Sequence, residues 1–189
     1  MEREILLTGI GGQGVQLAAQ VIARAAVLEE RHVMSLGTYG GTMRGGNTDS
    51  TLILGAAPIS SPPIVAKSWA GIGAHPRYWE AVRAKLRAGG VAVWNADLFE
   101  ASADAGAARA LPVRATALAT EAGAAQGAAL VLVGALAGAT ALVGLDSLIA
   151  AMEEALPPYR REHAAKNAAA LRAGFDSAPR DFARAWSAA

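Results

Sequence analysis

The chain contains no cysteine, only three histidines, and few aromatic residues, which make up 5% of its 189 positions. Without cysteine there is no disulfide, no thiolate metal site, no cysteine nucleophile and no cysteine-ligated iron–sulfur cluster, so any redox centre that works with this chain lies elsewhere. His32, His75 and His163 are far apart and lack metal-ligand spacing, so each reads as a surface or structural residue. An excess of one charge sign is also missing. Lys and Arg number 17 against 16 Asp and Glu, which gives a net charge of +1 and a charged fraction of 17% with no like-charge block. That balance argues against an electrostatic nucleic-acid surface and a polybasic membrane patch. Glu153 and Glu154 are adjacent and point apart on a helix, which suits a solvated face better than an acid/base pair. No serine, histidine and aspartate grouping is recognisable, and no autonomous catalytic residue is expected.

The start, "MEREILLTGI", puts acidic residues ahead of a short apolar run, the reverse of a signal peptide, so a cytoplasmic location is expected. Ala122 to Leu145 carries no charge and is long enough to span a bilayer. It is dominated by Ala and Gly and lacks an aromatic belt or flanking basic clusters. A helix from about Ala129 to Leu142, buried in a protein core or subunit interface, is therefore expected. Its Gly134-x-x-x-Gly138 spacing permits close helix contact. Trp69, Trp79, Trp94 and Trp186 read as packing or interface anchors.

What the sequence does hold is glycine, 21 residues, and a hydrophobic fraction of 53%. Glu4 to Thr8 reads as a buried strand, Val15 to Glu29 as a helix and His32 to Leu36 as a second strand, with "NTDSTLILG" a third. "WAGIGAHP" is predicted to be a short strand running into a loop, followed by a helix over Arg77 to Arg87 closed by Gly89 and Gly90, and "VAVWN" is another strand. Phe99 to Ala110 fits either a weak helix or a surface insertion, and "LPVRATAL" an edge strand entering a helix. Asp146 is the expected N-cap of "SLIAAMEEAL", Pro157 and Pro158 break the chain, and a last helix stops at Gly174. The tail after Asp176 fits a short docked helix or a free end. The predicted fold class is α/β: a Rossmann-like open, mostly parallel sheet flanked by helices, with a helical C-terminal half. One domain, 1–176, is followed by a tail, 177–189.

Gly9, Gly11 and Gly14 form G-x-G-x-x-G between a strand and a helix, where missing side chains allow a phosphate to approach a positive helix N-terminus. Three readings stand: a dinucleotide, another phosphate-bearing ligand, or a purely structural turn. The dinucleotide reading requires a carboxylate at the end of the second strand, and "HVMSLGTYG" has none there. The second loop, "TYGGTMRGGN", sets Arg44 beside Gly45 and Gly46. That guanidinium either makes forked bonds to a phosphate or carboxylate, or braces the loop through backbone carbonyls.

Taken together, "GIGGQGV", "TYGGTMRGG", "STLILGAAPISSPPI" and "RAGGVAVWNADLF", continuing through "VLVGALAGATALVGLDSLIAAMEEAL" and "KNAAALRAG", resemble the gamma subunit or domain of the 2-oxoacid:ferredoxin oxidoreductases over roughly residues 3–176. The form "SLGTYGGTMRGG" is nearer to the 2-oxoglutarate or general 2-oxoacid branch than to the indolepyruvate beta subunit. One departure is the lack of an asparagine at Gly127 to Ala129, before the apolar helix. The resemblance implies oxidative decarboxylation of a 2-oxoacid to an acyl-coenzyme A by a heteromeric enzyme. Thiamine diphosphate would sit on alpha/beta partner subunits and iron–sulfur clusters on another subunit or domain, with ferredoxin reached indirectly. For this chain it implies assembly and a share of the coenzyme A site, through Gly9, Gly11, Gly12, Gln13 and Gly14 of the first loop and Thr38, Tyr39, Arg44, Gly45 and Gly46 of the second. No activity is expected from the chain alone, which has the option of pairing with itself. The competing reading is a stand-alone Rossmann-like nucleotide-binding protein, either an NAD(P)-dependent enzyme or a ligand sensor.

Overall fold

The apolar runs of the first hundred residues become strands. A computed structural model describes residues 1–39, 45–60 and 62–186. The order is β1 (Glu2–Ile10), α1 (Val15–Leu28), β2 (His32–Tyr39), β3 (Asn47–Gly55), β4 (Ser68–Gly73), α2 (Trp79–Arg83), β5 (Leu86–Asn95) and β6 (Arg109–Val113). The helices α3 (Ala115–Glu121), α4 (Ala128–Thr140), α5 (Leu145–Ala155) and α6 (Ala164–Ser177) complete it, with 3-10 turns at Pro76–Tyr78 and Pro158–His163.

The six strands form one sheet in the order β2-β3-β1-β4-β5-β6. β1, β4, β5 and β6 pair in parallel, whereas β3 lies antiparallel between β1 and β2. The sheet is therefore mixed. β1 and β2 run the same way but are not neighbours, because the chain turns back after β2 and fills the gap with β3. The carboxyl ends of β1 and β2 nonetheless lie at the same end of the sheet, flanking the start of β3, where Ile10 pairs with Asn47 and Tyr39 with Thr48.

Alternation along β1 sets two cores. Ile5 and Leu7 face the large cluster built on α1 and α4, and Leu6 faces a smaller one formed by Trp79, Val82, Leu86, Trp94 and Phe99. Trp94 stacks on Phe99 with ring centroids 6.0 Å apart, and Trp79 meets Phe99 edge-on at 5.8 Å. Phe99 thus pins the 99–108 segment, which is neither a helix nor a free insertion. α1 buries Val15, Ala18, Ala19, Ile22, Ala25 and Ala26, a helical stripe facing the sheet.

The uncharged stretch becomes α4, buried over nearly its whole length, and no helix among the described residues is long and apolar enough to cross a membrane. α4 packs backbone-close on α6: a Cβ on Gly134 would lie 2.1 Å from the Leu171 carbonyl oxygen, and one on Gly138 2.4 Å from that of Phe175. Gly174 answers from the other helix, where a Cβ would sit 1.9 Å from the Val131 oxygen. Gly174 is an interior contact residue, and α6 runs on past it to Ser177.

Two other sequence expectations give way to nonlocal structure. The helix expected over Arg77 to Arg87 is only α2, because Leu86 pairs with Ser68 and opens β5, and Gly89 and Gly90 lie inside that strand. Four residues bulge between Leu86 and Val91, and a Cβ on Gly90 would come 2.1 Å from the Trp69 oxygen. Asp146 does not cap α5. Gly144 holds the cap position, its N–H bonded to the Glu29 carboxylate at 2.6 Å, and Asp146 falls in the first turn. After α6, residues 178–186 dock without forming a further helix: the N–H groups of Ala183 and Ala185 donate to the Ala139 and Thr140 oxygens, and the Trp186 indole N–H to the Leu142 oxygen. Arg3 and Arg109 donate to the Ala185 and Phe182 carbonyls.

Candidate ligand site at the glycine loops

The first loop leaves β1 at Gly9, where a Cβ would lie 2.8 Å from Val15 and 2.9 Å from the Gln13 side-chain oxygen. Only a hydrogen fits there, so the helix starts directly against the strand end. Gly12 and Gly14 take positive φ of 101° and 79°, a conformation that favours glycine. The Gln13 side-chain oxygen accepts the Ile10 N–H at 3.0 Å, so this end of Gln13 holds the loop's own shape.

The second loop reaches the first through the backbone. Gly11 N–H donates to the Gly46 oxygen at 2.9 Å, and a Cβ on Gly11 would meet the Gly45 nitrogen at 3.3 Å. Gly45 has φ 88°. Thr38 is exposed at the end of β2, and Tyr39 pairs through its backbone with Thr48. Arg44, with the rest of 40–44, lies outside the described residues.

A carboxylate does stand at this end of the sheet, on β3. Asp49 accepts Thr8 Oγ1–H at 2.6 Å and Asn47 Nδ2–H at 2.7 Å, and its backbone oxygen accepts Gln16 Nε2–H at 2.8 Å. Sequence order hid it, since the ribose-binding pattern looks for an acid at the end of β2, while antiparallel β3 brings its own first residues there. With both oxygens engaged by the protein, Asp49 acts as a brace between β1 and β3.

Beside the first loop opens a cleft of about 360 Å³. Gly12, Gly14 and Leu17 form one wall, the 123–127 turn with Ala129 and Leu130 a second, and Leu156, Arg160, His163, Lys166 and Asn167 the third. The start of α1 and the start of α4 both face it. Among the described residues, neither helix has a side-chain N-cap or an acidic residue in its first turn, so both helix starts present their positive ends to the cleft. Among the described residues, the glycine loops contribute Gly12 and Gly14 to the lining, and Thr38, Gly45 and Gly46 are not part of it. The sequence reading missed the basic third wall and assigned His163 no role. The signal was there in "YRREHAAKN", which puts basic residues at Arg160, His163 and Lys166, one helical turn apart. Where the resemblance wants an asparagine near Gly127, the amides of Gln126 and Asn167 line the cleft instead. Among the described residues, no three histidine, aspartate or glutamate side chains come together as a metal site.

An open α/β sheet with a glycine turn entering a helix at the carboxyl end of its first strand, an antiparallel strand beside it, and a helical half built on a glycine-packed pair defines the class. The pyruvate ferredoxin/flavodoxin oxidoreductase family model matches residues 4–177, and the chain belongs to that family. The 2-oxoglutarate synthase subunit KorC of Methanocaldococcus jannaschii is 36% identical over 66 residues, which cover 34% of this chain and 35% of that subunit. The chain thus aligns with about a third of the length of this curated relative. In fold it is similar to the gamma subunit of a keto/oxoacid ferredoxin oxidoreductase from Geobacter sulfurreducens (TM-score 0.75, 24% identity, covering 92% of this chain and 96% of that one). It is also similar to the pyruvate oxidoreductase subunit PORC of Thermotoga maritima (0.72, 22%, 93% and 96%). A third likeness is to the 2-oxoglutarate:ferredoxin oxidoreductase of Magnetococcus marinus, solved with 2-oxoglutarate, coenzyme A and succinyl-CoA bound (0.81, 18%, 97% of this chain and 33% of that one).

Proposed function

We propose that this chain is the gamma subunit of a heteromeric 2-oxoacid:ferredoxin oxidoreductase and contributes to its coenzyme A site. The family match over 4–177 carries the reading, and the joining of the two glycine loops by the Gly11–Gly46 bond supports placing the ligand at that end of the sheet. In the assembled enzyme thiamine diphosphate on a partner subunit would supply the chemistry for decarboxylating a 2-oxoacid, iron–sulfur clusters on another would carry the electrons to ferredoxin, and coenzyme A would take the acyl group. Thiamine-binding and iron–sulfur partners would supply the redox centres, since this sequence has no cysteine to ligate a cluster. The part played here is binding and orientation. The backbone N–H groups of Gly12 and Gly14 and the guanidinium of Arg44 offer donors to an anionic ligand.

The test is reconstitution with the partner subunits. The chain alone is expected to give no viologen reduction with pyruvate, 2-oxoglutarate or indolepyruvate, thiamine diphosphate and coenzyme A, and the complex is expected to turn over. In the complex, Arg44→Ala should raise the KM for coenzyme A, with a loss on the order of 1.5–3 kcal/mol in kcat/KM if a charge-assisted bond is removed, and leave the 2-oxoacid KM nearly unchanged. Sustained turnover by the pure chain would sink the subunit reading.

A further inference from the structure

We infer that the sheet edge at β2 pairs with β2 of a second copy of this chain, antiparallel about a two-fold axis at Ser35. Among the described residues, β2 and β6 are the two edges of the sheet. β6 is guarded: it is 5 residues long and carries Arg109 and Pro112, the kinds of residue that keep an edge from recruiting another strand. β2 is 8 residues long, reads HVMSLGTY, and holds no Lys, Arg, Asp, Glu or Pro. His32, Ser35, Leu36, Gly37 and Thr38 are exposed along it. Its outward N–H and C=O groups are therefore a ready template for a further strand.

The register follows from the alternation of side chains. Met34 and Leu36 pair with Ile53 and Thr51 of β3, and Thr51 pairs with Leu6, so both lie on the face of the sheet that carries the smaller core. Setting Ser35 opposite its own copy places Met34 of each chain opposite Leu36 of the other. The symmetric registers on either side leave Met34 facing Thr38 or Leu36 facing His32. On the other face, the two-fold brings the outer side of α1 up to its copy. A groove of about 210 Å³ runs there between α1 and β2, lined by Ala23, Val27, Leu28 and Val33, with Arg24 and Glu154 beside them. Val27, Leu28 and Leu36, at 60%, 50% and 42% exposure, are large hydrophobic residues left open at this edge. Arg24 and Glu154 neutralise each other at 3.6 Å. The seam thus gathers apolar surface, and the charges that flank its groove do not repel a second copy.

The experiment uses the purified full chain, which is expected to sediment at twice the mass of a single chain. Leu36→Lys is expected to keep the parent's far-UV circular dichroism and to raise the dimer dissociation constant by about tenfold or more. Because the sequence has no cysteine, single-cysteine variants and a short thiol-specific cross-linker read the register directly. Ser35→Cys is expected to cross-link to itself, and Met34→Cys mixed with Leu36→Cys to cross-link more than either variant alone. Glu121→Cys, on α3 against β5, is the control expected to stay uncoupled. A chain that sediments as a monomer, a dimer that Leu36→Lys leaves as tight as the parent, or a Ser35→Cys variant that cross-links no better than Glu121→Cys overturns the pairing. So does a chain that is monomeric alone and whose Ser35→Cys variant cross-links to a partner subunit in the reconstituted oxidoreductase, which would give the edge to that subunit.

Discussion

The Glu29 carboxylate accepts the Gly144 N–H at 2.6 Å across 115 residues of chain, so the end of α1 caps the start of α5. No side chain within α5 does that work. Glu29→Ala should cost about 1 kcal/mol, the usual worth of an N-cap, while Glu29→Gln, which keeps an acceptor oxygen, should cost less. Urea midpoints of the three proteins, with unchanged slopes, check the order.

The α4–α6 contact is the least tolerant place in the fold. Gly174→Ala places a methyl group where it would sit 1.9 Å from the Val131 oxygen, a backbone atom that cannot swing away. The substitution improves intrinsic helix propensity by roughly 1 kcal/mol, yet the helices must separate to admit it. A net destabilisation of about 1–3 kcal/mol is expected, read as a fall in Tm. A variant as stable as the parent would mean that the two helices are not in backbone contact.

These two contacts mark the limit of what the sequence discloses. β1, α1 and the 47–55 strand are legible because their signals, apolar period and flanking glycine, are local. Gly174 reads locally as a helix stop, and Asp146 as a cap, because the residues that decide otherwise, Val131 and Glu29, are remote in the chain. Gly90 misled in the same way, since it is Trp69 on β4 that demands a glycine beside it, while Gly89 answers to its own positive φ of 76°. At the site, the glycines announced themselves by type. The basic wall did not, because Arg160 and Lys166 become neighbours of Gly12 and Gly14 only once the C-terminal half folds back over α1.

Asp104 reports on a surface link that ties the 99–108 segment down. The Gly106 N–H and the Arg83 guanidinium both bond its carboxylate, at 2.7 Å and 2.9 Å, and hold its pKa below the usual carboxylate range. A carboxyl group depressed in the folded state contributes stability above its unfolded pKa and loses it as pH falls through the folded value. Arg83→Gln should therefore move the Asp104 midpoint upward in an NMR titration without abolishing the shift, because the Gly106 bond remains. With Asp104 exposed, the accompanying change in stability should be small.

Asp49 offers the sharpest test of bracing against ligand binding at the glycine loops. Its carboxylate joins Thr8 on β1 and Asn47 at the start of β3, and Thr8 is buried at 1% exposure with its hydroxyl committed to that bond. Asp49→Ala strands a buried donor and should cost about 1–3 kcal/mol. Thr8→Val removes the donor instead and should cost less, since no buried group is left wanting a partner at that position. If the two residues act as a unit, the double variant Thr8→Val/Asp49→Ala will be more stable than the sum of the single losses predicts, by on the order of 0.5–3 kcal/mol in a double-mutant cycle. A ribose-binding carboxylate behaves differently: its loss would change ligand affinity and leave stability nearly untouched. Additive stability losses together with a weakened ligand would thus reject the brace and return the site to the dinucleotide-binding reading.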